Sequence, residues 1–229
     1  MNQKSLFAND PNRDMIISFR TIRRAVGWLG IALPVIMYLG TLLIGDCPTL
    51  KASISDYFYT IMGSVLVGVL CAVALFQFTY KGPAPIDGIL SSLAAIFALG
   101  VAFLPCNVSG GHYDCNIICR PSDGLRNAVH YISAAGLFVV QAVMSVWLFR
   151  RTNKPGNMGA QKKSRNQVYL ICGIIMIVAM ATMLVLKLFG LSEKYYSLRP
   201  TFCLETITLW AFGISWLVKG EVVLKDKTE

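Results

Sequence analysis

Three ionisable side chains stand where an apolar chain rarely places them: Asp56, His130 and Glu205. Two carboxylates and an imidazole are a set that can bind a divalent metal such as zinc. The same set can do general acid–base work, because burial raises a carboxylate pKa and histidine titrates near neutrality. Asp56 lies in the stretch SISDYFYT, residues 53–60, among Ser53, Ser55 and Thr60. Water is the expected nucleophile for such a set, with Ser55 as the alternative. Ser133 follows His130 by three residues, and Thr208 bears the same relation to Glu205. At that spacing each pair shares a helical face, so both hydroxyls are expected to line the same pocket. Arg126 precedes His130 by four residues and Arg199 precedes Glu205 by six, so ion pairing or helix–helix adhesion is the simpler account of these polar residues; both readings stay open. The chain holds no phosphate loop, nucleophile elbow or H-E-x-x-H motif.

The elements that must position these residues are apolar helices. Of 229 residues 55% are hydrophobic and 14% charged, against about 25% charged in soluble domains. Mean hydropathy is +0.58. A helix needs roughly 17–25 apolar residues to cross a bilayer. Six segments meet that length: about 25–45, 57–79, 87–105, 128–149, 168–189 and 201–218. The expected fold is therefore all-α, a polytopic integral membrane protein of six transmembrane helices. Residues 1–24 form a cytoplasmic leader, 25–219 the membrane domain and 220–229 a cytoplasmic tail. The leader segment RDMIISFRTIRR, residues 13–24, reads as an interfacial helix or as a solvated leader with a few apolar residues.

Charge sets the orientation. Fifteen of the 21 Lys and Arg residues fall in the leader, in the connections after spans two and four, and in the tail; six fall on the other side. Basic loops mark the cytoplasmic face, so both termini are expected inside and SISDYFYT outside. This placement explains the net charge of +9 without a nucleic-acid partner. Spans two, four and six then enter from the outer face, and Asp56, His130 and Glu205 share a depth of at most ~8 Å at a rise of 1.5 Å per residue.

Five cysteines fall on or near the outer side: Cys47, Cys106, Cys115, Cys119 and Cys203. All five are disulfide candidates in an oxidising compartment, and spacing does not give their pairing. His112, Asp114, Cys115 and Cys119 also permit a zinc reading of the outer loop. Gln77 and Gln141 inside spans point to interhelical hydrogen bonds or to a polar lining. Trp28, Tyr57, Tyr59, Tyr131, Trp147 and Trp216 fall near span ends, as interfacial aromatic residues do.

The SISD segment after the first span, His130 early in the fourth and Glu205 early in the sixth resemble a six-helix membrane superfamily. It contains the DRAM/Sfk/FRAG-type proteins of eukaryotes and uncharacterised bacterial membrane families. FCLETITLWAFGISWLVKGE, residues 202–221, looks like the final helix of the bacterial relatives. The resemblance implies shared polar positions at Ser55, Asp56, His130 and Glu205. It implies roles such as lipid remodelling, autophagy or phosphoinositide regulation. A more distant likeness is to membrane hydrolases that hold zinc with three histidines; this chain has one intramembrane histidine and cannot assemble that site. The expected location is the cell membrane, such as a bacterial inner membrane, with membrane lipid as partner. The expected function is binding or processing of a lipid or other amphiphile in an outward polar pocket. The competing class is a non-enzymatic effector, an oligomeric pore or a scaffold, with homo-oligomer formation open in either case.

Overall fold

The computed structural model describes residues 11–82, 84–108, 114–118, 124–151 and 159–224, with side chains from Phe19 onward. Among the described residues the regular structure is helical. The long helices are α1 (Pro11–Leu43), α2 (Gly63–Thr79), α3 (Pro85–Phe103), α4 (Gly124–Val143), α5 (Ala160–Leu188) and α7 (Pro200–Lys219), with a short α6 (Leu191–Lys194) before α7. A π-helical turn, Met144–Leu148, continues α4. Five of these helical stretches are long and apolar enough to cross a membrane: Phe19–Leu43, Pro85–Phe103, Gly124–Leu148, Ala160–Leu188 and Tyr196–Lys219. The remaining apolar helix, α2, has 17 residues and spans about 26 Å at 1.5 Å per residue.

The second apolar segment departs from expectation at its start. Residues 57–59 belong to a 3-10 helix, Ser55–Tyr59, and α2 begins only at Gly63. Thr60 is extended, with ψ 179°. The chain folds back so tightly that a Cβ at Gly63 would collide with the carbonyl of Phe58, which a side chain cannot tolerate. The leader also differs: α1 runs unbroken from Pro11, so residues 13–24 and the first apolar run form one helix of 33 residues.

Packing is cyclic. α1 lies against α2, α2 against α3, α3 against α4, α4 against α5, α5 against α7, and α7 closes on α1. Small residues make this possible. Ser91, Ala94, Ala95, Ala98 and Ala102 are all buried along α3, and such faces let helices approach closely. Around the ring, Leu43, Ile96, Ile132, Ile177, Val178 and Leu188 are exposed, the surface a bilayer would cover.

Gln77 accepts from Ser91 Oγ at 2.7 Å, and Gln141 accepts from Trp216 Nε1–H at 3.0 Å; both are the interhelical bonds anticipated. The aromatic residues divide. Trp28, Tyr131 and Trp147 are exposed, whereas Tyr57, Tyr59 and Trp216 are core residues. Trp216 packs edge-on against Tyr80 and Phe149, with centroids 5.2 and 5.3 Å away. Sequence position near a span end does not say which way a ring points, and here α7 turns Trp216 into the bundle.

The cysteine pairing is Cys47–Cys115, with Cα atoms 6.0 Å apart. It closes a loop of 68 residues and contributes on the order of 2–4 kcal/mol by restricting the unfolded chain. Cys106 and Cys203 are free thiols, which corrects their candidacy. Cys106 is buried and Cys203 is exposed in the first turn of α7. Cys119 and His112 lie outside the described residues.

Candidate functional site

The segment from Lys51 to Thr60 folds inward as a plug. Lys51, Ala52, Ser53, Ile54, Asp56, Tyr57, Tyr59 and Thr60 are buried, while Ser55 is half-buried. Its polar groups are tied locally. Ser53 Oγ accepts from the Asp56 amide at 3.1 Å, and Thr60 Oγ1 donates to the Tyr57 carbonyl at 2.8 Å. Tyr59 donates its hydroxyl to the Cys106 carbonyl at 2.6 Å, and the Ile117 amide donates to the Tyr59 carbonyl at 2.8 Å.

Two helices grip the plug. From α7, the Phe202 amide donates to the Ala52 carbonyl at 2.9 Å, and Glu205 Oε2 accepts from the Ile54 amide at 2.5 Å. From α4, His130 Nε2 lies 3.1 Å from Ser55 Oγ, and His130 Nδ1 lies 2.8 Å from the Leu104 carbonyl. A carbonyl oxygen can only accept, so Nδ1 carries the proton. In the neutral ring Nε2 is then the acceptor for the Ser55 hydroxyl.

Ser55, His130 and Glu205 line one cavity of ≈530 Å³ between the plug, α4, α5 and α7. Ligand pockets commonly fall between about 300 and 1,000 Å³. Lys187 and Arg199 also line it, as do Ala134, Phe138, Met180, Met183 and Leu184. Lys187 Nζ sits 3.1 Å from the centroid of the Tyr131 ring, and the Arg199 guanidinium lies 3.9 Å from that of Tyr196. Arg199 Nη1 is buried without a hydrogen-bond partner.

Asp56 does not line this cavity. A 3-10 turn advances about 120° per residue, so Ser55 and Asp56 point to different sides. Asp56 is 2% exposed. Its charge acts on Lys51, whose ammonium is buried within the plug and bonds to the Asp114 carbonyl and, at 2.7 Å, to Asn116 Oδ1. Burial pushes the Lys51 pKa down, against the upward pull of Asp56 and Asp114. Burial likewise pushes the Cys106 thiol well above its ordinary range, and the carboxylates of Asp56 and Glu205 add to that shift. A buried thiol of this kind is inert toward nucleophilic chemistry.

Ser133 and Thr208 are turned away from the cavity. Ser133 packs on Gly100 of α3, where an added Cβ would lie 2.9 Å from the Ser133 Cβ. Thr208 donates to the Leu204 carbonyl of its own helix at 2.7 Å. Among the described residues, no three His, Cys, Asp or Glu side chains are gathered to hold a metal ion. Both nitrogens of His130 have partners already. The zinc assignment to Asp56, His130 and Glu205 therefore lacks the ligand set it needs.

Lys187 and Arg199 are the site residues that sequence reasoning missed. Lys187 counted only toward topology, and Arg199 toward topology and as an ion-pair partner of Glu205. The structure places Arg199 directly before Pro200 at the N-terminus of α7, where the partial positive charge of the helix end is unfavourable to a cation. No family model, no curated protein and no solved structure matches this chain.

Proposed function

We propose that this chain is a six-span membrane protein with both termini cytoplasmic, whose outward cavity binds or processes a lipid or another amphiphile. The cavity itself carries this reading: Ser55, His130, Glu205, Lys187, Arg199 and Glu193 share its lining with the apolar side chains of Ala134, Phe138, Met180, Met183 and Leu184. Such a mixed lining suits a molecule with a polar head and a hydrocarbon chain. The likeness to the six-helix superfamily is consistent with it, and the excess of basic residues on the opposite face supports the orientation.

Filling the apolar wall tests the binding. Ala134 is half-buried and lines the cavity. Purified protein in nanodiscs is expected to bind a fluorescent phosphatidylglycerol saturably, and Ala134→Trp is expected to weaken that binding by at least about tenfold, or 1.4 kcal/mol. Absence of saturable binding to the unaltered protein would remove this function. Equal affinity in the variant would place the ligand elsewhere.

Orientation has a separate check. In a background without other free thiols, Ile117→Cys should react with an impermeant maleimide on intact cells. Ala160→Cys should react only after permeabilisation; both positions are exposed. The reverse pattern would invert the topology.

A further inference from the structure

We propose that Ser55 and His130 form a nucleophile–base pair that removes an acyl group from an anionic, ester-bearing amphiphile held in the cavity. This rests on the cavity being an amphiphile site, as proposed above. Four observations support it. Ser55 Oγ is 3.1 Å from His130 Nε2, within the reach a general base requires. The Leu104 carbonyl holds the proton on Nδ1, leaving Nε2 free to accept. A base fixed in turn by a third group is the arrangement that activates a serine; here the third group is a backbone carbonyl, where serine hydrolases commonly use a carboxylate. Ser55 is half-buried on the cavity wall, while its base is 3% exposed. The serine thus meets a ligand, and the histidine is shielded from water.

The surroundings select the substrate class. One turn beyond His130, α4 presents Ala134 and then Phe138, and α5 faces them with Met180, Met183 and Leu184. The part of the ligand next to the nucleophile is therefore an acyl chain. Arg199 Nη1 is buried with an unused proton, and Lys187 adds a second cation on the same cavity. Glu205 and Glu193 also line it; the Glu205 carboxylate is engaged with the Ile54 amide. Nη1 of Arg199 is the donor that an anionic head such as a phosphodiester would pair with.

In the first step Ser55 Oγ bonds to the acyl carbonyl carbon, and its proton passes to His130 Nε2. The ester C–O bond then breaks, and the leaving alkoxide takes that proton from Nε2. Acyl-Ser55 and an alcohol result. Water attacks the acyl carbon next and yields its proton to Nε2; the Ser55 Oγ–acyl bond breaks, and Oγ recovers the proton. The products are a carboxylic acid and the regenerated pair.

A long-chain alkyl fluorophosphonate tests the pair, because Ser55 Oγ would displace fluoride from phosphorus and remain covalently marked. Full-length protein in nanodiscs is expected to be labelled on Ser55. Ser55→Ala should abolish labelling. His130→Gln should slow labelling by about 100-fold or more. Ser55→Cys supplies a second readout: its thiol should become alkylated by iodoacetamide with a rate that depends on His130. A long-chain umbelliferyl ester should release umbelliferone with the unaltered protein and not with Ser55→Ala. If the protein binds the lipid but takes no label, the pair is overturned and the binding site stands. If it neither binds nor labels, the binding site falls and the pair with it. Labelling that persists in Ser55→Ala would place the nucleophile elsewhere and overturn the assignment.

Discussion

Replacing Asp87 with alanine is expected to destabilise the folded protein by about 3–5 kcal/mol, the range for removing one partner of a buried ion pair. Asp87 opens α3 and its side chain is 2% exposed. Oδ1 accepts from Arg151 Nη2 at 2.5 Å, and Oδ2 accepts from the Ala84 amide at 2.9 Å. Alanine removes both bonds, and Arg151 is left facing the Trp147 ring without its carboxylate. Because the Arg151 side chain keeps 33% exposure, water recovers part of the loss, and the lower end of the range applies. Asp87→Asn retains an oxygen for the Ala84 amide and should cost less. Thermal unfolding in detergent, followed by helical circular dichroism, measures the difference. An unchanged midpoint for Asp87→Ala would show that the pair contributes nothing net.

Trp216→Ala is expected to cost about as much, roughly 3–5 kcal/mol for a large aromatic lost from a packed core. The ring is 1% exposed and stands among Tyr80, Phe149 and Phe212. Its Nε1–H is the partner of Gln141 Oε1, and Gln141 Nε2 is already buried without one. Truncation thus opens a cavity and also strips the amide of its remaining bond. Trp216→Phe fills most of the space but still orphans Gln141, so it should fall between the two. The same unfolding assay ranks the three proteins, and an alanine variant as stable as the parent would contradict the packing. Both sites are remote from the cavity: Trp216 is 11 residues beyond Glu205 on α7, about 16 Å along the axis. The fraction that remains folded should therefore bind lipid with unchanged affinity.

These two residues also mark where sequence reasoning loses resolution. Counting residues puts Asp87 at the start of the third apolar run, away from Asp56, His130 and Glu205. Trp216 was not legible as core, since rings near a span end face lipid, headgroups or the bundle with the same local sequence. Around the plug, the pairing of Ser55 with His130 spans 75 residues and that of Ile54 with Glu205 spans 151. No local pattern encodes such contacts. Sequence placed Asp56 with His130 and Glu205 because all three share a depth. The structure puts Ser55 on the cavity in place of Asp56, because a 3-10 turn separates adjacent side chains by a third of a rotation.

The amino-acid sequence by itself determined the apolar helices and their approximate ends. Backbone groups in hydrocarbon must be satisfied within the segment, and bilayer thickness fixes the length. It also determined that Gln77 and Gln141 need partners, since an unpaired amide among apolar residues is costly. Only the tertiary structure decided which cysteines pair, which aromatic rings turn inward, and that Lys187 and Arg199 share a cavity with Ser55, His130 and Glu205. Those outcomes depend on the rotation of each helix about its axis and on the ring order of the bundle. Both are set by the summed packing of small residues such as Gly27, Ala94, Ala98 and Gly100, and no single residue or spacing carries that information.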